Sequence, residues 1–351
     1  MPSLTVPSIP HYTLPPITKE NLDYADLPII DLSKADTSEG RAALARQVCD
    51  AMTNQGFFYI INHGLSPAQS ERIFDIADVP FAQVDDEEKQ KYAGTMKQTG
   101  SYQGYKLRQY WHVDGGVRDQ IENYNINRDV NKRQHPEAVR PLLPEISQLM
   151  ALGLELPEDT LVNMHGFDTV GESYVRFMKY YPRSEEDELN SKNVWLKGHT
   201  DFGTITILYS QPVSALQIFG LDGRWRWIKH IENALVVNAG DAMEFLSGGF
   251  YRGTIHRVVQ PPIDQRTYTR LSAFYFAMPD DNVKLAPLLD SPVLQRVGIK
   301  RRFEDGADVP TVEQWRKART SAYGQSELKT SEKDKDVEEE FINGVLVKHY
   351  N

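Results

Sequence analysis

KGHTDFGTITILYSQPVSALQIFGLDGRWRWIKH (197–230) decides the fold. Its β-branched and aromatic runs, TITILYS (204–210), ALQIFG (215–220) and RWRWIKH (224–230), are short and are cut by Gln-Pro and by Gly-Leu-Asp-Gly. Runs of this length suit strands rather than helices, and the breakers between them supply turns. The same texture extends back to SYVRFMKYYP (173–182) and forward through ALVVNAGDAMEFLSGG (234–249), GTIHRVVQPP (253–262) and TRLSAFYFAMP (269–279). Repeated short strands separated by turn signals indicate an antiparallel sandwich or barrel. The expected fold is mainly β with helices (α+β), with a double-stranded β-helix (distorted jelly roll) core over 171–282.

Outward from the core the character changes. Prolines at 2, 7, 10, 15 and 16 make residues 1–22 an extended surface arm, since proline fixes φ and removes a backbone donor. Residues 23–170 form a helical and strand region packed on the core. Within it, LPIIDL (27–32) reads as a short strand and 38–56 as a capped amphipathic helix ended by Gly56. FFYIINHG (57–64) is a buried strand, 68–97 and 136–165 are helical, and 98–125 is a loop with short strands. Residues 283–351 form a C-terminal helical extension, with SELKTSEKDKDVEEEFINGVLVKHYN (326–351) read as a solvated helix.

Composition excludes several functions. The net charge is −10 and there is no basic stripe, so nucleic acid is not an expected partner. A single cysteine, Cys49, allows neither an internal disulfide nor a thiolate metal site. The N-terminus lacks a signal pattern and no apolar run approaches the ~20 residues that span a bilayer, so a cytoplasmic protein without membrane attachment is expected. Nothing in the sequence fixes the oligomeric state.

Any transition metal must then sit on imidazole and carboxylate ligands. Among the nine histidines, three begin a His-x-acid triplet: His112-Val113-Asp114, His199-Thr200-Asp201 and His230-Ile231-Glu232. Such a triplet alone is weak evidence. His199 and Asp201 enter a strand, where residues two apart share a face, and His256 lies in another strand-like run after a glycine-rich turn. Two imidazoles and one carboxylate on one face of an octahedral metal match oxygen-activating iron(II) sites, although zinc accepts the same ligands. The other two triplets, in an irregular segment and beside a Trp-rich strand, read as structural. Arg270-Leu271-Ser272 places a guanidinium beside a hydroxyl, a pair suited to gripping a carboxylate or, equally, to an internal salt bridge.

HTD (199–201), GTIHRVV (253–259) and RLS (270–272), in that order after KYYP (179–182), resemble the iron(II)/2-oxoglutarate oxygenases of the isopenicillin N synthase-like family. LPIIDLS (27–33), GFFYIINHGL (56–65) and NAGDAMEFLSGG (238–249) are similar to further motifs of that family. The resemblance implies Fe(II) on His199, Asp201 and His256, with O2 and 2-oxoglutarate as co-substrates. It places the far carboxylate of 2-oxoglutarate on Arg270, Ser272 and the Tyr181 hydroxyl. The implied reaction oxidises an unactivated C–H bond of a small organic molecule by hydroxylation, cyclisation, desaturation or ring expansion, releasing succinate and CO2. His63 is not a ligand in that family and reads as a packed, hydrogen-bonded side chain.

Two alternatives stay open at this stage. One is a related oxidase that needs no 2-oxoglutarate and grips its substrate's carboxylate with Arg270 and Ser272. The other is a metal-free β-sandwich binding module. The substrate pocket is expected to draw on 98–125, including Tyr102 and Tyr105, and on Phe341 near the C-terminus. If Tyr181 faces the pocket, the strand period of two turns Lys179 inward as well, where its ammonium meets an anionic substrate group or pairs with a protein acid instead.

Overall fold

A computed structural model describes residues 9–128, 142–300, 302–303, 308–322, 328–331 and 337–350. Part of the expected arm and part of the expected 136–165 helix lie outside the described residues. Two sheets carry the fold. The larger has the order β1-β2-β10-β7-β12-β5-β4-β3, with β1 at Ile29–Asp31, β2 at Phe57–Ile61, β3 at Gly104–Lys106, β4 at Ile121–Asn127, β5 at Tyr174–Tyr180, β7 at Ile205–Tyr209, β10 at Leu235–Ala239 and β12 at Arg270–Ala277. The smaller runs β13-β14-β15-β6-β11-β8-β9, with β6 at Val194–His199, β8 at Leu216–Phe219, β9 at Trp225–Trp227, β11 at His256–Val259, β13 at Lys329–Thr330, β14 at Val337–Ile342 and β15 at Val345–Tyr350.

From β5 to β12 the chain passes back and forth between the sheets, which is the double-stranded β-helix connectivity expected from the sequence. Trp195, Leu216, Ile218 and Val258 of the smaller sheet meet Tyr59, Met178, Tyr180, Leu208 and Val236 of the larger one in a shared core. The larger sheet is therefore buried on both faces. Its outer face takes helix α1 (Ser38–Asn54), whose Leu44, Ala45, Val48, Ala51 and Met52 form one apolar stripe against Phe58, Ile60, Ile207 and Val237. Thr37 caps α1 by accepting from the Gly40 amide at 3.1 Å. Gly56 ends it at φ +66°, and a Cβ there would lie 2.4 Å from the Arg252 carbonyl.

Helix α2 (Pro67–Ala82) starts from a capping box made by Ser66 and Gln69. It lays Phe74, Ala77 and Phe81 on Phe177, Leu271 and Ala273. That contact fixes parity: Phe177, Leu271 and Ala273 point outward, so Arg176, Met178, Tyr180, Arg270 and Ser272 point into the sandwich. The described part of the arm is extended and tied down, with the Thr18 hydroxyl donating to Asp264 at 2.7 Å and the Tyr12 amide to Asp75 at 2.8 Å.

The end of the chain departs from the expectation. Helices at Pro292–Val297 and Val312–Ala322 agree with a helical extension, but within 326–351 the described residues form β13 and the hairpin β14–β15. Asn343 and Gly344 both take positive φ, +48° and +77°, as a two-residue hairpin turn requires. Charged residues in β14 mimicked a solvated helix face, and the Asn-Gly signal between alternating apolar positions was the better guide. Phe341 is 75% exposed on this hairpin and does not reach the pocket.

Candidate active site

β6 ends at His199 and β11 begins at His256, and the two are cross-strand partners with ring centroids 4.5 Å apart. Asp201 stands just beyond β6, on the turn that leads to β7. It is thus the turn, and not strand alternation, that brings its carboxylate up. The Nε2 atoms of His199 and His256 lie 3.8 and 3.7 Å from Asp201 Oδ1, and the three ligand atoms fall within 4.8 Å of one another. His199 Nδ1 donates to the Lys197 carbonyl at 2.8 Å and His256 Nδ1 to the Thr254 carbonyl at 3.1 Å. A carbonyl accepts only, so each ring carries its proton on Nδ1 and turns its unprotonated Nε2 toward the cluster. Asp201 Oδ2 accepts from Thr206 Oγ1 at 2.6 Å and from Asn238 Nδ2 at 2.8 Å, leaving Oδ1 free to bind.

The electrostatics agree. Burial, with His256 close by, pulls the His199 pKa down to about 3. Burial alone would raise the Asp201 carboxyl, but the two imidazoles, Asn238 and Thr206 outweigh it and hold it below its ordinary range. Two imidazoles that turn Nε2 toward one carboxylate oxygen make a donor set that fits a divalent transition metal with an open face. The other triplets do ordinary work: His230 Nδ1 bonds the Ser210 hydroxyl at 2.9 Å, and Asp114 pairs with Lys192 at 3.4 Å. His63 is a hydrogen-bonded structural residue, its Nε2 2.9 Å from the Asn233 carbonyl.

The cavity beside the triad is walled by Phe57, Leu196, Leu208, Leu216 and Val258, which keep water out, and Arg270 faces it from β12. Arg270 is 3% exposed; its Nη1 donates to Ser272 Oγ at 2.7 Å, and its Nε has no partner. Burial pulls the guanidinium pKa down from its ordinary value, and among the described residues no carboxylate pairs with it. A buried cation without an anion is costly, so the site calls for an anionic ligand. The open metal face and this guanidinium on one cavity fit a 2-oxo dicarboxylate that spans them.

Several sequence-based placements need correction. Tyr181 points out of the cavity, and its hydroxyl donates to Glu122 Oε2 at 2.6 Å. Tyr180 lines the cavity instead, directly opposite Arg270. Lys179 shares the outward face of Tyr181 and pairs with Asp78 of α2 at 2.7 Å, the protein-acid alternative. Tyr105 also lies outside, donating to Glu122 at 3.0 Å. Tyr102 does line the cavity.

Reasoning from sequence missed Thr206 and Asn238, which hold Asp201, and also Arg176 and Arg319. Arg319 comes from the helix Val312–Ala322; it donates to the Thr200 carbonyl at 3.0 Å, between two of the three cluster residues, and lies 3.6 Å from Asp241. In QWRKAR (314–319) it reads as one more charge on a solvated face. Strand alternation alone left the face of Arg176 undecided; it is the pairing of Phe274 with Arg176 and of Arg270 with Tyr180 that puts it on the inward face of Arg270.

A double-stranded β-helix carrying two histidines, an aspartate and a buried arginine on one cavity is a non-haem iron(II) oxygenase site. Residues 27–145 match the family model described as non-haem dioxygenase in morphine synthesis, N-terminal, and residues 172–279 match the 2OG-Fe(II) oxygenase superfamily. The chain belongs to that superfamily, in its isopenicillin N synthase-like branch, and is a 2-oxoglutarate- and iron(II)-dependent oxygenase. It is 28% identical to jasmonate-induced oxygenase 3 of Arabidopsis thaliana over 309 residues, 80% of each chain. It is 29% identical to flavonol synthase/flavanone 3-hydroxylase of Petunia hybrida over 283 residues, 75% of this chain and 76% of that one. In fold it is similar to a full-length Neurospora crassa protein crystallised in complex with alpha-KG, at TM-score 0.71 and 22% identity over 86% of this chain and 99% of the other. JOX2 in complex with 2OG, Fe and JA superposes at TM-score 0.55 with 26% identity, over 79% and 82% of the two chains. No helix among the described residues is long and apolar enough to cross a membrane.

Proposed function

We propose that His199, Asp201 and His256 hold the iron(II) and that Arg270, steadied by Ser272 and walled by Tyr180, takes the far carboxylate of 2-oxoglutarate, leaving the rest of the cavity to a small organic substrate. The buried Arg270, which faces the same cavity as the triad and has no carboxylate partner among the described residues, carries this reading. With oxygen, the iron and its co-substrate supply an oxidant strong enough to remove hydrogen from an unactivated C–H bond, with succinate and CO2 released. The protein's own part is orientation and exclusion. Thr206 and Asn238 hold one Asp201 oxygen so that the other stays aimed at the metal. The backbone carbonyls of Lys197 and Thr254 keep both imidazoles in the binding tautomer. Ser272 accepts one Arg270 N–H, which directs the remaining donors into the cavity. Apolar walls strengthen that charge pairing, a contribution of about 1.5–3 kcal/mol per charge-assisted bond.

Anaerobic titration of the iron(II)-loaded protein with 2-oxoglutarate, followed by succinate measurement in air, tests the reading. Saturable 2-oxoglutarate binding lost in Arg270→Leu is the expected result. Substrate oxidation without 2-oxoglutarate consumption would instead make Arg270 a substrate anchor in an oxidase.

A further inference from the structure

We infer that the primary substrate is a monoanion, a carboxylate borne on a flat apolar body, and that Arg176 binds its charged group. The inference rests on the proposed roles of Arg270 and the triad and goes on to name the substrate class.

Arg176 lies on β5 with 8% exposure and lines the cavity. Its Nε donates to Asn125 Oδ1 at 2.6 Å, while its Nη2 is buried without a partner. Among the described residues no carboxylate pairs with it. The guanidinium lies 4.7 Å from the Tyr102 ring centroid, 5.1 Å from that of Phe276 and 5.4 Å from that of Tyr174. Those rings steady the cation without neutralising it, and they offer flat apolar walls beside the open donor.

Charge counting gives the same answer. Iron(II) with the Asp201 carboxylate leaves a single positive charge, Arg270 adds another, and dianionic 2-oxoglutarate cancels both. Arg319 has Asp241 at 3.6 Å. Among the described residues that line the cavity, Arg176 is the one cation left over, in a space where an unpaired cation is costly.

Position separates this anchor from the co-substrate anchor. Tyr180 stands opposite Arg270, and Arg176 is four residues back on the same strand, about 13 Å from that row. Tyr174, Phe276 and Thr206 form the adjoining row, about 7 Å further along, and Thr206 holds Asp201. Arg176 thus stands between the Arg270 row and the row that holds Asp201, so a carboxylate on Arg176 starts about 13 Å along the strand from one on Arg270 and closer to the metal cluster.

The test is calorimetric and needs no turnover. The anaerobic iron(II) protein, saturated with 2-oxoglutarate, is titrated with trans-cinnamate, 3-phenylpropionate and cyclohexaneacetate, each against its methyl ester. The expected result is at least tenfold tighter binding of a carboxylate than of its ester, abolished in Arg176→Gln and partly restored in Arg176→Lys, with 2-oxoglutarate affinity unchanged in both variants. If Arg176→Gln does not fold, a reduced preference in Arg176→Lys supports the inference and an unchanged one overturns it. Failure of every carboxylate to bind better than its ester, or a preference that survives in Arg176→Gln, also overturns it. Failure of 2-oxoglutarate itself to bind the unaltered protein would instead remove the underlying reading of the site.

Discussion

Arg270 and Tyr180 stand directly opposite each other across β12 and β5, with the guanidinium carbon 5.4 Å from the tyrosine ring centroid. Directly opposed residues of an antiparallel pair share a face, so neither Tyr181 nor Lys179 can join Arg270 in the cavity. Arg270→Leu is therefore expected to weaken 2-oxoglutarate binding by tenfold or more, because losing ~1.4 kcal/mol already gives that factor. Tyr181→Phe should leave the affinity unchanged, and anaerobic calorimetry on the two variants reads the difference directly. A large loss in Tyr181→Phe with none in Arg270→Leu would reverse the assignment.

Lys179→Met should lower stability by about 1 kcal/mol, since it removes a partly exposed ion pair and leaves Asp78 without its cation. Metal, 2-oxoglutarate and carboxylate binding should not change. Thermal unfolding and titration of the one variant suffice. Unchanged stability with lost ligand binding would return Lys179 to the pocket.

Both placements show where the sequence was legible and where it was not. Alternation, turn residues and the ordered motifs around His199, Asp201, His256 and Arg270 carried the core and the metal cluster. In VRFMKYYP (175–182), however, polar and apolar residues occupy both faces, so parity was undecided until Phe177 and Leu271 were seen packed beneath Phe74 and Phe81. Arg176 and Arg319 were hidden for a related reason. A buried arginine looks like a surface one until its neighbours are known.

Asn238→Ala leaves all three ligands in place but frees one Asp201 oxygen from a 2.8 Å hydrogen bond. Metal affinity is expected to fall by about 10–100-fold, the usual effect of losing a ligand's outer partner. Asp201→Ala should abolish binding. Competition with a chelator of known affinity ranks the two, and equal affinity for Asn238→Ala and the unaltered protein would leave Asn238 with no part in the site.

Burial holds the imidazoles of His199 and His165 below their ordinary pKa, His199 at about 3. Between about pH 6.5 and 3 the unfolded chain therefore binds protons at these positions that the folded protein refuses. Protons bound preferentially by the unfolded state lower stability, so the metal-free protein should lose stability as pH falls through that window. The urea midpoint should drop between pH 7 and 5, and the slope should be shallower in His199→Ala. Identical slopes in the two proteins would show that His199 is not held neutral by the fold.

The last prediction couples the C-terminal hairpin to the metal. Glu338 of β14 pairs with Lys197, and Tyr350 of β15 is the cross-strand partner of Gly198. These are the two residues that precede His199, and the Lys197 carbonyl is what fixes the His199 tautomer. Close packing enforces the contact, because a Cβ on Gly198 would lie 2.8 Å from that of Tyr350. Gly344 closes the hairpin turn at φ +77°, a conformation that valine resists. Gly344→Val should thus loosen β14–β15, raise hydrogen exchange at 345–350 and weaken metal binding several-fold, although it lies far along the chain from any ligand. Lys197→Met should reproduce part of the metal defect without opening the turn. Raised exchange in the hairpin with unchanged metal affinity would show that β6 holds His199 without help from the C-terminus.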